Sequence, residues 1–261
     1  MNERMLRELE LLPVARIFGL SAPAMPAADT GAADVASAPG RDSPAEAIPP
    51  LESAKRPAPM PSVAPEDTGI GELNWHELRE AVRVCDRCDL CKQRKQAVFG
   101  VGHESAPWLF VGEGPGADED EKGEPFVGQA GKLLDSMLAA AALKRGREVY
   151  IANVVKCRPP GNRVPLPAEA AACAPYLDRQ IELLQPRIIV ALGKTAAVRL
   201  LGAETGAASL ASLRGRTHSY RGRALVITYH PAYLLRNLPE KAKAWEDLLF
   251  ARRTFSAAAT P

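Results

Sequence analysis

The chain has 261 residues, 46% hydrophobic and 25% charged, a globular composition whose length suits one large domain or two small ones. No run of about 18 consecutive apolar residues occurs, which argues against a membrane-spanning helix, and the N-terminus MNERMLRELELLPVARIF is charged throughout, unlike a secretory signal. The net charge of +2 is unevenly divided: residues 1–70 hold six basic and ten acidic residues, a net of −4, which leaves +6 for residues 71–261. That mildly basic part is compatible with nucleic acid without requiring it.

Five cysteines without an export signal point to an intracellular metal or redox role rather than a disulfide framework. A cytoplasmic monomer is the default expectation.

Residues 1–20 are expected to hold a short helix, with Leu6, Leu11 and Val14 among charges. Residues 21–70 are rich in Ala, Pro, Ser and Asp and bury too little apolar surface to offset ordering entropy, so they read as a disordered linker. The helix and linker offer a possible site for a protein partner. A folded domain is expected over 71–255. Asn74 can cap a helix from Trp75 to Val84. Strands are expected at Trp108–Val111, Val149–Val155, Ile188–Leu192 and Leu225–Thr228. Helices are expected at Ala130–Ala142, Pro167–Leu184, Thr195–Leu201 and Leu238–Arg253. Strands separated by helices imply a mostly parallel sheet covered on both faces, and in such sheets the ligand lies beyond the carboxyl ends of the strands.

Three strand ends carry candidate chemistry. After the first comes VGEGPGADEDEKGEPFVG. Its Gly112-x-Gly114-x-x-Ala117 pattern, with Asp135 downstream, fits a loose dinucleotide fingerprint. Glu113, however, puts a carboxylate where a pyrophosphate would lie, and Pro115 removes an N–H, so no nucleotide cofactor is expected. Asn153, ending the second strand, offers one acceptor and two donors, which suits reading a nucleobase edge. His230 follows the last strand, immediately before Pro231. The cysteines form a separate pattern, Cys85-x2-Cys88-x2-Cys91 followed by Cys157-x15-Cys173. Four thiolates from such a set can enclose a tetrahedral zinc or a cubane iron–sulfur cluster, and spacing does not choose between them.

The segments GEGPGADEDEKGEPFVGQAGKLLD, YIANVVKCRPPGNRVPLPAEAAAC, IIVALGKTAA and YHPAYLLRN together resemble the family 4 uracil-DNA glycosylases, from about Val84 to Leu249. The resemblance implies an α/β fold, a three-layer αβα sandwich around a four-stranded parallel sheet. It also implies a [4Fe–4S] cluster and a monofunctional DNA N-glycosylase that hydrolyses the N-glycosidic bond of deoxyuridine in base excision repair, acting at the nucleoid on double- or single-stranded DNA. Residue by residue, it implies that Glu113 activates water and that His230 stabilises the departing base. Gly114 and Asn153 would bind uracil, Phe126 would stack on the flipped base, and Glu119 would help exclude the methyl group of thymine. The ligand set it implies is Cys85, Cys88, Cys157 and Cys173, with Cys88 and Cys91 as the alternative first pair. Leu234, Leu235 and Arg236 are expected to probe or fill the vacated base stack. Lys156, Arg158, Arg163, Arg214 and Arg216 are candidates for phosphate contacts. No Arg-Arg-Ile-His insertion lies between Cys157 and Cys173, so turnover with release of the strand is expected.

Overall fold

The computed structural model describes residues 69–257. The expected N-terminal helix and nearly all of the linker lie outside the described residues.

The first long helix, α1 (Trp75–Arg83), begins where Asn74 accepts the N–H groups of His76 and Glu77 at 3.0 and 3.1 Å, while Glu77 returns a carboxylate to the Asn74 N–H. This reciprocal cap satisfies donors the helix cannot satisfy itself. Leu78 and Val82, four residues apart, are its buried face. Strands β1 (Trp108–Gly112), β2 (Val149–Asn153) and β3 (Ile188–Leu192) are buried at every position, as expected of parallel strands covered on both sides. Two further strands follow, β4 (His218–Tyr220) and β5 (Arg223–Thr228).

The sheet order is β2-β1-β3-β5-β4, with the first four strands mutually parallel. The four expected parallel strands are therefore present, and β4 adds an antiparallel edge. The sequence HSY has no apolar run to announce a strand. It pairs because Arg221 (φ 47°) and Gly222 (φ 77°) form a two-residue turn of the hand that suits a hairpin.

The remaining helices are α2 (Ala117–Lys122), α3 (Gln129–Ala140), α4 (Pro167–Leu184), α5 (Lys194–Leu201), the single turns α6 (Leu210–Leu213) and α7 (Pro231–Leu234), and α8 (Glu240–Ala257). Alternate strand side chains point to opposite faces. Leu109, Val111, Ile189, Ala191, Leu225 and Ile227 meet α1, α4 and α5. Phe110, Ile151, Ile188, Val190 and Val226 meet Leu134 and Leu138 of α3 and Leu248 and Ala251 of α8. The result is a three-layer sandwich. The chain leaves β1 toward β2 on one side and returns to β3 on the other, so the strand order reverses between β1 and β3. A crevice opens there at the carboxyl ends.

Candidate active site

Four candidate side chains sit at the carboxyl ends of different parallel strands or just beyond. Glu113 follows β1, Asn153 ends β2, Thr195 lies in the first turn of the helix after β3, and His230 follows β5. Gly112 and Asn153 are register partners, so the glycine lies beside the point where the carboxamide emerges. A Cβ on Gly112 would lie 2.4 Å from Asn153 Oδ1 and 2.6 Å from the Phe126 ring, so only glycine leaves room for both.

Asn153 is buried, and its Oδ1 has no hydrogen-bond partner. A buried acceptor left unpaired costs about 1–3 kcal/mol, which is recovered when a ligand supplies a donor. Phe126 stands beside it, its ring centroid 5.4 Å from that of His230. On the other side of the crevice the Thr195 hydroxyl donates to Glu113 Oε2. Glu113 is therefore oriented by a residue on the facing side of the strand-order reversal.

His230 caps α7: its Nδ1 accepts the Ala232 N–H at 3.1 Å, which places the ring proton on Nε2. Burial and the nearby Arg236 push its pKa down to about 4, against an opposing pull from Glu119. The ring is thus neutral at pH 7, with Nε2–H free to donate. Gly193, at φ 90°, closes this wall, and a Cβ there would come 3.0 Å from the His230 Cβ.

Glu119 is committed to backbone. Its Oε2 accepts the Gly116 N–H at 3.0 Å, and its Oε1 accepts those of Val127 and Gly128 at 2.9 and 3.0 Å. It ties the start of α2 to the loop that carries Phe126. Gly114 lies against Val155, where a Cβ would come 2.7 Å from the valine methyl, so the loop after β1 follows the chain leaving β2 closely.

A second pocket is lined by Cys85, Cys88, Cys157 and Cys173 together with Arg87, Arg94, Lys156 and Tyr176. Cys91 does not line it. Its backbone N–H bonds the Cys88 carbonyl at 3.2 Å in the single helical turn Asp89–Lys92. Arg94 donates to Cys157 Sγ at 2.9 Å, and the Lys156 N–H points to Cys173 Sγ at 3.3 Å. Burial pushes the Cys88 and Cys157 thiols up and takes Cys173 to about 12. Cys173 is placed by α4, which Glu169 anchors by accepting the Leu166 N–H at 2.7 Å and a two-pronged bond from Arg163 at 2.7 and 2.9 Å. Among the described residues no three His, Cys, Asp or Glu side chains converge as they would around a single ion.

Residues 99–249 match the family described as the uracil DNA glycosylase superfamily. The chain is 44% identical over 185 residues to the type-4 uracil-DNA glycosylase of Pyrobaculum aerophilum, covering 67% of this chain and 92% of that one. It is 46% identical over 161 residues to the type-4 enzyme of Thermotoga maritima, covering 61% and 82%. The type-5 uracil-DNA glycosylase of Thermus thermophilus is 35% identical over 156 residues, covering 51% and 68%.

The chain belongs to the type-4 group of the uracil DNA glycosylase superfamily.

The glycosylase fold brings Glu113, Asn153, Phe126 and His230 to one crevice. It revises expectations about DNA contacts. Leu234 is 1% exposed, packed with Tyr229, Ala244, Leu133 and Met137. Of the expected leucine pair only Leu235, 41% exposed, is presented, beside the exposed Arg236. Lys156 is 1% exposed, its Nζ bonded to the Asn153 carbonyl at 2.9 Å and to Gln180 at 2.6 Å, so it supports the base pocket from behind and does not face a phosphate. Arg214 is held by Asp247 at 2.6 Å and lies over the Tyr229 ring. Arg163 is spent on Glu169, Arg158 bonds Asn162 and Arg216 bonds the Ser212 carbonyl. Asp135, the acid of the loose dinucleotide pattern, pairs with Arg145.

Thr195 is the site residue that sequence reasoning passed over. Its signal was a hydroxyl in the first turn of a helix that opens directly after a parallel strand.

Proposed function

We propose that this chain excises uracil from DNA by hydrolysing its N-glycosidic bond, leaving an abasic site for base excision repair. The observation that carries this reading is the unpartnered, buried Asn153 Oδ1, set between an aromatic ring and a neutral imidazole at the carboxyl edge of the sheet. Uracil presents a donor at N3 and an acceptor at O4, which match the oxygen and the NH2 of one carboxamide. Cytosine presents an acceptor at N3 and an amine at C4, so both bonds are lost, at about 1–3 kcal/mol for each unsatisfied group.

The target base must leave the duplex to reach this crevice. Leu235 and Arg236 are positioned to occupy the gap it leaves. Phe126 offers a stacking face, worth about 1–3 kcal/mol per base. As the C1′–N1 bond breaks, negative charge gathers on uracil O2, where the Nε2–H of His230 donates without giving up its proton. Glu113, oriented by Thr195, takes a proton from the water whose oxygen bonds C1′, and its charge favours the cationic sugar. The displaced uracil anion takes up a proton. The Glu119 carboxylate is occupied by backbone, so it acts on thymine through the loop it fixes.

For the cysteine pocket we propose a [4Fe–4S] cluster on Cys85, Cys88, Cys157 and Cys173. Four thiols from three separate segments line one pocket, an all-sulfur donor set that fits an iron–sulfur cubane; a single zinc on the same thiols would leave the protein colourless. When bound, such a group joins the loop after α1, the chain leaving β2 and the body of α4. Arg94 and the Lys156 N–H would hydrogen-bond the ligating sulfurs.

The test is incubation with a labelled oligonucleotide carrying one uracil, followed by alkali. Strand scission by the wild type, lowered about 10²–10⁴-fold by Glu113→Ala and about 10²–10³-fold by His230→Ala, and insensitive to chelator, is expected. A folded, DNA-binding protein that yields no scission would overturn the reading and leave a DNA-binding module.

A further inference from the structure

Phe126 holds its ring in the crevice from a backbone conformation that side-chain-bearing residues rarely adopt, with φ 56°. Such strain persists only where the surroundings over-determine it. Here the surroundings are explicit. Arg145, in the turn before β2, donates from Nη1 to the Pro125 carbonyl at 2.8 Å and from Nη2 to the Phe126 carbonyl at 2.9 Å. Its Nε is held by Asp135 of α3 at 2.8 Å. From the other side Glu119 takes the next two backbone N–H groups, Val127 and Gly128. Below, α3 carries Gly131, where a Cβ would fall 1.8 Å from the Phe126 carbonyl oxygen, so the helix and the strained peptide are in direct contact.

We infer that Arg145 is a positioning residue for the stacking platform: its fork, steadied by Asp135, fixes the carbonyls on either side of the Pro125–Phe126 step and so sets where the Phe126 ring lies. This rests on the reading of Phe126 as the face on which the extruded base stacks. The guanidinium's charge is not free for a phosphate, because Nε, Nη1 and Nη2 all bond within the protein. A fork of this shape is specific to arginine. Lysine could reach one carbonyl but not two in parallel.

Because the effect runs through one ring, it should appear only when a base is in the pocket. The experiment compares wild type, Arg145→Met, Arg145→Lys, Asp135→Asn, Phe126→Ala and the Phe126→Ala/Arg145→Met double variant. Inhibition by free uracil, single-turnover cleavage, and binding of an oligonucleotide with a baseless tetrahydrofuran site are measured for each. We expect Arg145→Met to weaken uracil inhibition and slow cleavage about tenfold, in line with the worth of one stacked base. Tetrahydrofuran binding should be unchanged. Arg145→Lys should fall between wild type and Arg145→Met, and Asp135→Asn, at an exposed carboxylate, should move the same way by about twofold. In the Phe126→Ala background Arg145→Met should add nothing, the signature of two residues acting as one unit. Equal losses in both backgrounds, an equal loss of tetrahydrofuran binding, or no loss at all would overturn the inference. If Arg145→Met does not fold, Arg145→Lys and Asp135→Asn decide by the same criteria. Should Phe126→Ala itself leave uracil inhibition intact, the stacking role of Phe126 fails. Should it weaken inhibition while the Arg145 variants do not, only the role of Arg145 fails.

Discussion

The base crevice and the cysteine pocket lie on the same domain but are held in opposite ways. The crevice is assembled mainly by regular structure: Glu113, Asn153, Thr195 and His230 stand at or just beyond the ends of parallel strands, so the sheet sets their separations, and only Phe126 comes from a loop. The pocket is assembled by a loop after α1, the chain beyond β2 and a turn of α4, and its thiols are disfavoured as anions by burial. The first needs only folding to exist. The second would gain stability from the proposed cluster, whose iron would take the place of the thiol protons. Geometry for chemistry is thus separated from the device that staples loops together.

The largest expected break in this contrast comes from the pocket. Cys173→Ser should abolish broad absorbance near 400 nm and lower the melting temperature by about 10 °C or more. Loss of a metal site belongs to the severe class of substitutions, and about 2–4 °C accompanies each kcal/mol in a chain of this size. Cys91→Ser should keep both the colour and the melting temperature. Loss of the colour in Cys91→Ser as well would move the first ligand pair to Cys88 and Cys91.

In the crevice, His230 gives a pH signature of opposite kind. With its pKa lowered to about 4, the cleavage rate should show no limb near pH 6.5, the ordinary histidine value. A limb there would mean that the imidazole works as a cation. The folded state binds this proton later than the unfolded chain, so the histidine's contribution to stability is complete above about pH 6.5 and drains away as pH falls toward 4. The melting temperature of wild type minus that of His230→Asn should shrink across that window.

A smaller effect is expected at the orienting hydroxyl. Thr195→Val keeps the shape of the helix start but leaves Glu113 without its donor. It should lower single-turnover cleavage about tenfold, the order of one hydrogen bond to a charged group, with tetrahydrofuran binding unaltered.

What could be read in advance follows from the same contrast. Glu113, Asn153 and His230 could be singled out because each stands at or just beyond the carboxyl end of a short apolar run, where a parallel sheet places its ligand. Cysteine spacing drew attention for a similar reason. Arg145 was not legible: it stands in the polar turn Lys144–Arg147, where one basic residue resembles the next until the Phe126 carbonyl is seen beside it. Nor was α2, six residues of ADEDEK with no apolar period, whose start depends on the Glu119 carboxylate returning to the Gly116 N–H. Leu234 and Leu235 are adjacent and chemically alike. Only the direction of the short α7 decides which is buried, and that direction is set by the fold around it.

The buried Leu234 has a mechanical consequence. It seats α7 against Leu133 and Met137 of α3, and α3 is also the helix whose Gly131 touches the Phe126 carbonyl and whose Asp135 steadies Arg145. One helix therefore lies behind both the tip proposed to enter the duplex and the ring proposed to receive the expelled base. On that proposal, any recoil from the duplex on Leu235 would be borne by α3, and the distance between push and catch would be held by a helix, which neither stretches nor bends readily under such a load.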